Sequence, residues 1–444
     1  MFNKLKFILI LLSFFAAGLA TAQQITNSPY SRYGLGDLYT PGFGNNIAMG
    51  GTGIALSTPM YLNMLNPAGN TNLMMQRFVF DVGLDTKFTT TESSVGSQKN
   101  NNTTFKYLAG GFAAKPWMFF NFMLTPYSSV GYSFSDTVKI DDSFGTTHSF
   151  ATTSKGSGGL NKVSVSAAFK FLKMFSMGVT GSYIFGSLDR TSTVSSVGTE
   201  LIYNPGSTTK YTTAYTSSSS YKSRYIITGF NYDLGFLFSK SIRSKKDTLR
   251  NALKFNAGLT FSNESKINAR DELFIYKYNT LTAVTDTVAN DTIAKGKITL
   301  PQSIGVGVSL EFNEMFTICG DYKMQDWSSF SIEGEDNTPL GKNISYSFGA
   351  QFVQDKYSSR YYKTINYRFG LYTSDSYLSL NGKTIKDQGI TFGLGLPIKT
   401  LVMNISCNFG KRGTTEHNLY QEKYFLLHFN VTAHDVWFVK RKFQ

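Results

Sequence analysis

Residues 78–85 read Phe-Val-Phe-Asp-Val-Gly-Leu-Asp, and this stretch decides the fold. Large apolar side chains alternate with small, acidic or less bulky ones, and a period of two places each set on its own face of a β-strand. The same alternation returns in residues 163–171 and 401–409. We therefore predict strands with one apolar, aromatic face and one polar face.

About fourteen segments carry this pattern, and many are longer than the five or six residues usual in soluble strands. Their lengths reach the 9–11 residues that a β-strand needs to cross a bilayer. The predicted strands cover residues 76–90, 104–114, 117–135, 158–171, 174–190, 221–240, 252–278, 295–312, 315–330, 342–354, 362–376, 385–396, 400–410 and 422–435.

The predicted connections alternate between short and long. Tight turns near 115–116, 172–173, 313–314 and 397–399 alternate with polar loops, of which the Ser/Thr/Tyr-rich 91–103 and 191–220 are expected to be mobile. The other long loops are expected at 136–157, 279–294, 331–341 and 411–421. This layout is typical of bacterial outer-membrane barrels, in which the short turns face the periplasm.

The composition of the 444 residues agrees with this class: only 16% are charged and 15% are aromatic. Disordered chains have few aromatic residues, and a helical membrane protein needs longer apolar runs than this chain has after its N-terminus. The alternative is a soluble β-sandwich or β-helix, but its polar loops are too few to cover so many apolar strand faces. The predicted fold class is all-β, a transmembrane antiparallel β-barrel of about 14 strands over residues 76–444.

Residues 1–22 have the features of a secretory signal peptide. Lys4 and Lys6 precede an apolar core over residues 7–19, and Ala20-Thr21-Ala22 forms a cleavage site. The alternative is a transmembrane anchor, but the segment is short and ends in small residues. We expect export to the outer membrane of a Gram-negative bacterium.

Residues 23–75 lack strand alternation and are rich in glycine, so they are predicted to fold back into the lumen as a plug. Gly-Gly-Thr-Gly at 50–53 and Asn66-Pro67-Ala68 just before the first strand resemble the hatch of the FadL family of outer-membrane transporters. Residues 409–415 and 435–443 also resemble FadL-related proteins, including a branch that acts in secretion. The resemblance implies a hatch that closes the lumen and a third strand with an inward kink.

Five residues are candidates for substrate binding or gating on this resemblance: Asn66, Pro67, Ala68, Pro126 and Arg368. Pro126 lies in the third predicted strand, where a proline removes a ladder donor. We expect it to mark a break in strand pairing with Asn66-Pro67-Ala68 packed nearby; the alternative is a proline at the rim of a closed wall. Arg368 is a lumen-facing candidate for an acid head group. Six other lumen-facing charges are expected to form salt links from wall to plug: Asp81, Asp85, Asp233, Glu311, Asp321 and Lys323.

The resemblance implies uptake of a hydrophobic small molecule, such as a fatty acid, which passes the hatch and leaves sideways into outer-membrane lipid. Burial of each CH₂ contributes about 0.8 kcal/mol, so such a solute needs few polar contacts. The alternative function is a non-transporting barrel subunit or partner of an outer-membrane secretion or assembly complex. Basic residues at the proposed periplasmic rim either neighbour lipid head groups or dock an acidic envelope protein; they are Lys115, Lys173, Arg243, Lys245, Lys246, Arg250, Lys356, Arg360, Lys399, Lys440, Arg441 and Lys442.

Other classes of function find little support in the sequence. The four histidines are scattered, and Cys319 and Cys407 fall on opposite predicted faces, so neither a metal site nor a disulfide is expected. No Gly-x-Ser-x-Gly element suggests a hydrolase, and no cofactor is implied. The basic excess follows membrane topology rather than a nucleic-acid groove. Lectin or adhesin activity through the polar loops is a further alternative function.

Overall fold

The structure is a computed structural model that describes residues 26–141, 147–203, 210–243, 252–279, 284–331 and 340–437. The signal peptide prediction lies outside these residues. The strands are β1 (Asp37–Leu38), β2 (Arg77–Glu92), β3 (Ser97–Lys115), β4 (Met118–Ser129), β5 (Tyr132–Asp141), β6 (Thr147–Phe171), β7 (Phe175–Tyr203), β8 (Lys210–Arg243), β9 (Ala252–Ser262), β10 (Ser265–Asn279), β11 (Val284–Leu300), β12 (Ser303–Phe312), β13 (Phe316–Asp326), β14 (Lys342–Phe352), β15 (Asn366–Leu380), β16 (Lys383–Ile398), β17 (Leu401–Gly413) and β18 (Gln421–Val436).

Helical structure among these residues is limited to short segments of three to six residues. The two α-helical turns are α1 (Gly44–Ile47) and α2 (Tyr361–Thr364), and 3₁₀ turns cover Pro29–Arg32, Pro67–Asn72, Trp327–Ser329 and Glu416–Asn418. No helix in the described ranges is long and apolar enough to cross a membrane.

The strands form one closed antiparallel barrel, as predicted. β18 pairs with β2 from Gln421↔Glu92 to Val436↔Arg77, which joins the two ends of the sheet. Three wall strands are interrupted, so that β4 with β5, β9 with β10, and β11 with β12 each cross the wall as one unit. Counted this way, the barrel has fourteen wall strands. β1 is an additional two-residue strand that pairs with β4.

The two faces of the wall follow the predicted alternation. Phe80, Leu84 and Phe88 are exposed on the outside, whereas Asp81 and Asp85 are buried on the inside. An outer apolar face and closed ladders are what a strand wall in lipid requires, because no backbone group can be left unpaired there. Cys319 is buried and Cys407 is half-buried, and both thiols are free.

The predicted loops at 91–103 and 191–220 are wrong, because most of their residues extend the neighbouring strands. β3 begins at Ser97, β7 continues to Tyr203, and β8 begins at Lys210. Most residues of these extensions are polar, and the few apolar ones, such as Val194, Leu201 and Ile202, do not recur with a period of two, so the extensions show no apolar periodicity. Their Thr and Tyr residues nevertheless favour strands. We call the end of the barrel that carries these long hairpins the long-loop rim and the opposite end the short-turn rim.

Residues 26–75 lie inside the barrel, and we call them the hatch. Its upper segment (residues 26–41) packs near the long-loop rim, where Tyr30 and Leu35 join an apolar core with Trp327 and Tyr377. Its lower segment (residues 42–75) fills the half toward the short-turn rim, with Phe43 and other apolar side chains buried against β2 to β4. The hatch therefore runs along the lumen from one end to the other.

Candidate functional site: the interrupted wall and the hatch

The wall is interrupted between β3 and β4. Their ladder runs from Lys115↔Met118 to Leu108↔Leu124 and ends there. Farther toward the long-loop rim, the described part of β3 has ladder pairs with β2 alone, and β5 has ladder pairs with β6 alone. We call this gap, between residues 97–107 of β3 and residues 125–141 of β4 and β5, the wall break.

Pro126 lies two residues beyond the last β3–β4 pair. A proline has no N–H to donate to a ladder, and such residues occur at bulges and strand edges. On the other side of β4, the register with β6 shifts between Pro126↔Asn161 and Ser128↔Leu160. The strand therefore bends at the position where it leaves β3.

The upper segment of the hatch covers the wall break from the inside. Leu38 pairs with Ser128 in the β1–β4 ladder, and the Tyr39 N–H donates to the Tyr127 carbonyl at 2.9 Å. On the opposite edge, Asn27 Nδ2 donates to Asn102 Oδ1 of β3 at 3.2 Å. The hatch thus donates hydrogen bonds to both edges of the gap, and on β4 it satisfies backbone groups that have no β3 partner.

A chamber of about 420 Å³ with a mixed polar and apolar lining lies between the upper and lower segments and reaches both edges of the wall break. The Lys106 ammonium pairs with Asp85 at 2.8 Å and lies 4.3 Å from the centre of the Tyr39 ring. Burial raises the pKa of Tyr39 well above its usual value, and the nearby Asp85 charge adds to this. Its hydroxyl is therefore neutral. Asp37 of the hatch pairs with Arg412 of the wall at 2.8 Å.

The lower segment is fixed to the wall mainly through backbone groups. Asp321 Oδ2 accepts hydrogen bonds from the N–H groups of Gly53 (2.6 Å) and Ile54 (2.9 Å). Thr391 Oγ1 accepts from Gly50 N–H at 2.9 Å and donates to the Ala48 carbonyl at 3.0 Å. Hydrogen bonds to a carboxylate are among the stronger ones, so Asp321 is the main polar anchor of this segment.

A family model named BamG matches residues 1–444. The chain belongs to the BamG family. No match was found among curated proteins.

Solved structures of FadL-type channels share the fold of this BamG-family chain. The P. putida toluene transporter TodX is 13% identical, covers 90% of this chain and 100% of its own, and superposes with a TM-score of 0.55. The Ralstonia pickettii toluene transporter TbuX is 16% identical, covers 89% of this chain and 98% of its own, and superposes with a TM-score of 0.51. A Pseudomonas aeruginosa FadL homologue is 10% identical, covers 90% of this chain and 100% of its own, and superposes with a TM-score of 0.50. The resemblance to FadL-type outer-membrane barrels is thus confirmed for the fold.

The Asn66 side chain holds the lower segment against the wall by hydrogen bonds. Its Nδ2 donates to the carbonyls of Ile54 (2.8 Å) and Phe236 (3.0 Å), and its Oδ1 accepts from the Ala68 N–H at 3.0 Å. Asn66 is the N-cap of the 3₁₀ turn that starts at Pro67, a position where a side-chain acceptor and a following proline are both favoured.

Asn66-Pro67-Ala68 do not pack near Pro126, so that part of the expectation is wrong. A Cβ added to Gly178 would lie 2.8 Å from the Pro67 Cβ, which places Pro67 directly against β7. Gly178 pairs with Ala168, and Ala168 pairs with Phe119, seven residues before Pro126 on β4. At about 3.3 Å per residue, the two prolines are about 23 Å apart along the strand direction.

Arg368 lies against the lower segment and does not line the chamber. Its Nε donates to Gln351 Oε1 (2.7 Å), Nη1 to Asn404 Oδ1 (2.7 Å) and Nη2 to the Tyr61 hydroxyl (3.1 Å). The side chain is buried. Each nitrogen of the guanidinium therefore has a protein partner, and the contact with Tyr61 fixes the hatch to β15.

The expected salt links from wall to plug are largely replaced by other contacts. Within residues 26–75 only Arg32 and Asp37 are charged, so the hatch offers few ionic partners. Asp85 pairs with Lys106 within the wall, and Asp321 binds hatch backbone. This scarcity of charge was readable from the sequence. The role of residues 26–41 at the wall break was not, because no local pattern distinguishes them from the lower segment.

The predicted basic rim is described only in part. Lys115, Lys173, Lys356, Arg360 and Lys399 lie at the short-turn rim, in turns or at strand ends. Lys245, Lys246, Arg250 and residues 440–442 lie outside the described ranges.

Proposed function

We propose that this chain, in the outer membrane of a Gram-negative bacterium, takes up a hydrophobic small molecule such as a fatty acid and releases it sideways through the wall break. The proposed organisation is a signal peptide (1–22), a hatch (23–75) and a barrel (76–444). The observation that carries the proposal is the end of the β3–β4 ladder at Leu108↔Leu124, beside a chamber that reaches both edges. The proposal assigns no catalytic, metal-binding or cofactor-binding role to any residue.

The apolar core near the long-loop rim supplies the entry side of this route. Tyr30 and Leu35 of the hatch pack there against wall residues such as Trp327 and Tyr377. An apolar solute that replaces these hatch side chains gains about 0.8 kcal/mol per buried CH₂. The chamber below falls within the size range of small-molecule pockets. Movement of the upper segment would open the entry side and the wall break together.

In this proposal the upper segment is the moving part and the lower segment holds the hatch in place. The upper segment is fixed at the wall break by the short β1–β4 ladder and single side-chain bonds. The lower segment has the Asp321 anchor and the contacts of Asn66, Pro67 and Ala68 with β7 and β8. Gating by residues 66–68 would therefore act through the position of the whole hatch.

The test is a disulfide that locks the upper segment to the wall. Leu38 and Ser128 are directly paired, and paired Cα atoms lie 4.5–5.5 Å apart in antiparallel ladders, within the range of a disulfide. L38C/S128C is made with C407S, and uptake of a labelled long-chain fatty acid is measured in cells. We expect at least tenfold slower uptake in the oxidised form and recovery after reduction.

The control is V306C/Y322C, a directly paired couple within the continuous β12–β13 ladder and outside the chamber lining. We expect its uptake to be the same oxidised and reduced. Equal uptake by oxidised and reduced L38C/S128C, with the disulfide verified, would reject passage through the wall break.

A second candidate function is the non-transporting barrel subunit of a secretion or assembly complex. A recess of about 610 Å³ at the short-turn rim is lined by Lys170, Lys173, Lys240 and Lys254 together with hatch residue Asn72. Among the described residues, none of these lysines is in an ion pair within 4.0 Å. Such a recess suits an acidic segment of an envelope protein.

This function is tested by purification from the native membrane in mild detergent. We expect a partner at fixed ratio that is lost from K173E/K240E and retained by K399E, a single charge reversal elsewhere on the same rim. A barrel that emerges alone in every case, with fatty acid bound, favours transport instead.

A further inference from the structure

Three lysines form a row on the outside of the wall near the long-loop rim. One rung of the sheet crosses five strands as Gln388↔Lys411, Lys411↔Lys423, Lys423↔Thr90 and Thr90↔Lys99. Directly paired residues share a face, and Thr90 shares the outward face of Phe88 because the two are two residues apart. Lys411, Lys423 and Lys99 therefore point outward; we call them the lysine row.

An aromatic shelf lies two residues along each strand nearer the membrane centre, on the same outward face. The pairs Phe409↔Phe425 and Phe425↔Phe88 continue the same three strands. The ring centroids are 5.0 Å apart for Phe409 and Phe425 and 6.2 Å apart for Phe425 and Phe88. Phe409 and Phe88 are 54% and 46% exposed. The row and the shelf line a concavity of about 1000 Å³ on the barrel surface.

The position of the row along the strands coincides with the edge of the hydrocarbon layer. Phe78 and Phe88 mark the two ends of the outward apolar face of β2, ten residues apart. Ten residues span about 33 Å along a strand. With the usual tilt of 35–45°, this is about 25 Å along the membrane normal, the height of the apolar band in such barrels. The lysine row lies two residues beyond this band, where lipid head groups begin.

The row carries more positive charge than its neighbours balance. Lys423 pairs with Glu92 at 2.8 Å. Among the described residues, no carboxylate lies within 4.0 Å of the Lys99 or Lys411 ammonium. Adjacent strands are about 4.8 Å apart, so these two lysines are about 14 Å apart across the rung. This width of about 14 Å is closer to the size of one lipid head group than to the width of an extended protein-binding surface.

We propose that the lysine row and the aromatic shelf bind a phosphorylated lipid of the outer leaflet, with its phosphate on the lysines and its acyl chains on the phenylalanines. The proposal rests on the proposed outer-membrane location and does not depend on transport. A chain that takes up no solute still binds the lipid, so the two proposals fail separately.

The test titrates the purified mature protein in detergent with lipids and counts bound molecules by native mass spectrometry. The probes are monophosphoryl lipid A, the same lipid without its phosphate, and inorganic phosphate as a competitor. We expect one monophosphoryl lipid A per chain, weaker binding without the phosphate, and no displacement by millimolar inorganic phosphate. Each unopposed lysine near a lipid phosphate contributes about a factor of five. K99Q/K411Q/K423Q should therefore bind about 25-fold more weakly.

The matched control is K266Q/K277Q/K295Q, which removes the same charge from exposed positions on β10 and β11. Its affinity should stay within twofold of the wild type. A heat-modifiable band on a gel verifies that each variant retains the barrel. Equal binding by wild type and K99Q/K411Q/K423Q, equal binding without the lipid phosphate, or displacement by inorganic phosphate would each overturn the proposal.

Discussion

Replacement of Asp321 by alanine should release the lower segment of the hatch without unfolding the barrel. One carboxylate oxygen accepts the N–H groups of Gly53 (2.6 Å) and Ile54 (2.9 Å). A hydrogen bond to a charged group contributes about 1.5–3 kcal/mol, so D321A should weaken this attachment by about 3–6 kcal/mol. At about 1.4 kcal/mol per factor of ten, the two amides should exchange hydrogen about 100- to 10,000-fold faster. The β13 ladders to β12 and β14 are unaffected.

The assay is hydrogen–deuterium exchange of peptides that cover residues 50–56, with a heat-modifiable band as the check on the barrel. D321N keeps an acceptor oxygen and should give an intermediate rate. D375A removes an equal charge near the long-loop rim, where Asp375 pairs with Lys386 at 3.5 Å, and should exchange like the wild type. Exchange of residues 50–56 in D321A at the wild-type rate would refute Asp321 as the anchor.

Three further predictions concern the interior. G178A should loosen the hatch, because its Cβ would lie 2.7 Å from the Ala68 nitrogen. G181A is the control, because a Cβ added there meets nothing within 4 Å. Proteolysis of the hatch compares the two variants. R368M leaves the buried Asn404 and Tyr61 and the half-buried Gln351 without their Arg368 partner, and it should lower the free energy of unfolding by about 3 kcal/mol in urea titration. An apolar maleimide should label Cys407 and leave Cys319, 3% exposed, unlabelled until unfolding.

The wall was predictable because the environment acts on each strand in the same way. In residues 78–85 and 401–409, lipid on one side and a polar lumen on the other impose a period of two on the sequence. The closure of the ladder follows from the absence of water in the membrane. Even the interrupted strands were found as single units, because an interruption of two residues does not change which face the next side chains occupy.

The site was predictable only in part, because its contacts are between segments distant in sequence. Pro126 could be singled out, since a proline inside a strand has a local meaning. The partners of Asn66 on β8 and of Asp321 on the hatch depend on how residues 26–75 lie in the lumen. The polar strand extensions at 97–103 were missed for a related reason: both of their faces are polar above the membrane, so periodicity vanishes.

The two candidate functions make different demands on the upper segment. As a transporter, the chain must break the β1–β4 pairs and the Asn27–Asn102 contact in each cycle. Each of these neutral bonds contributes about 1 kcal/mol, so breaking them costs only a few kcal/mol. Opening also separates Asp37 from Arg412 and displaces Tyr30 and Leu35 from their apolar core, and a solute whose CH₂ groups take the place of these side chains offsets that cost. As a scaffold, the same segment is a permanent strand that completes the wall, and its mobility should be no greater than that of the lower segment. Faster amide exchange at Leu38 and Tyr39 than at Gly53 and Ile54 is therefore expected for a transporter, and equal exchange for a scaffold.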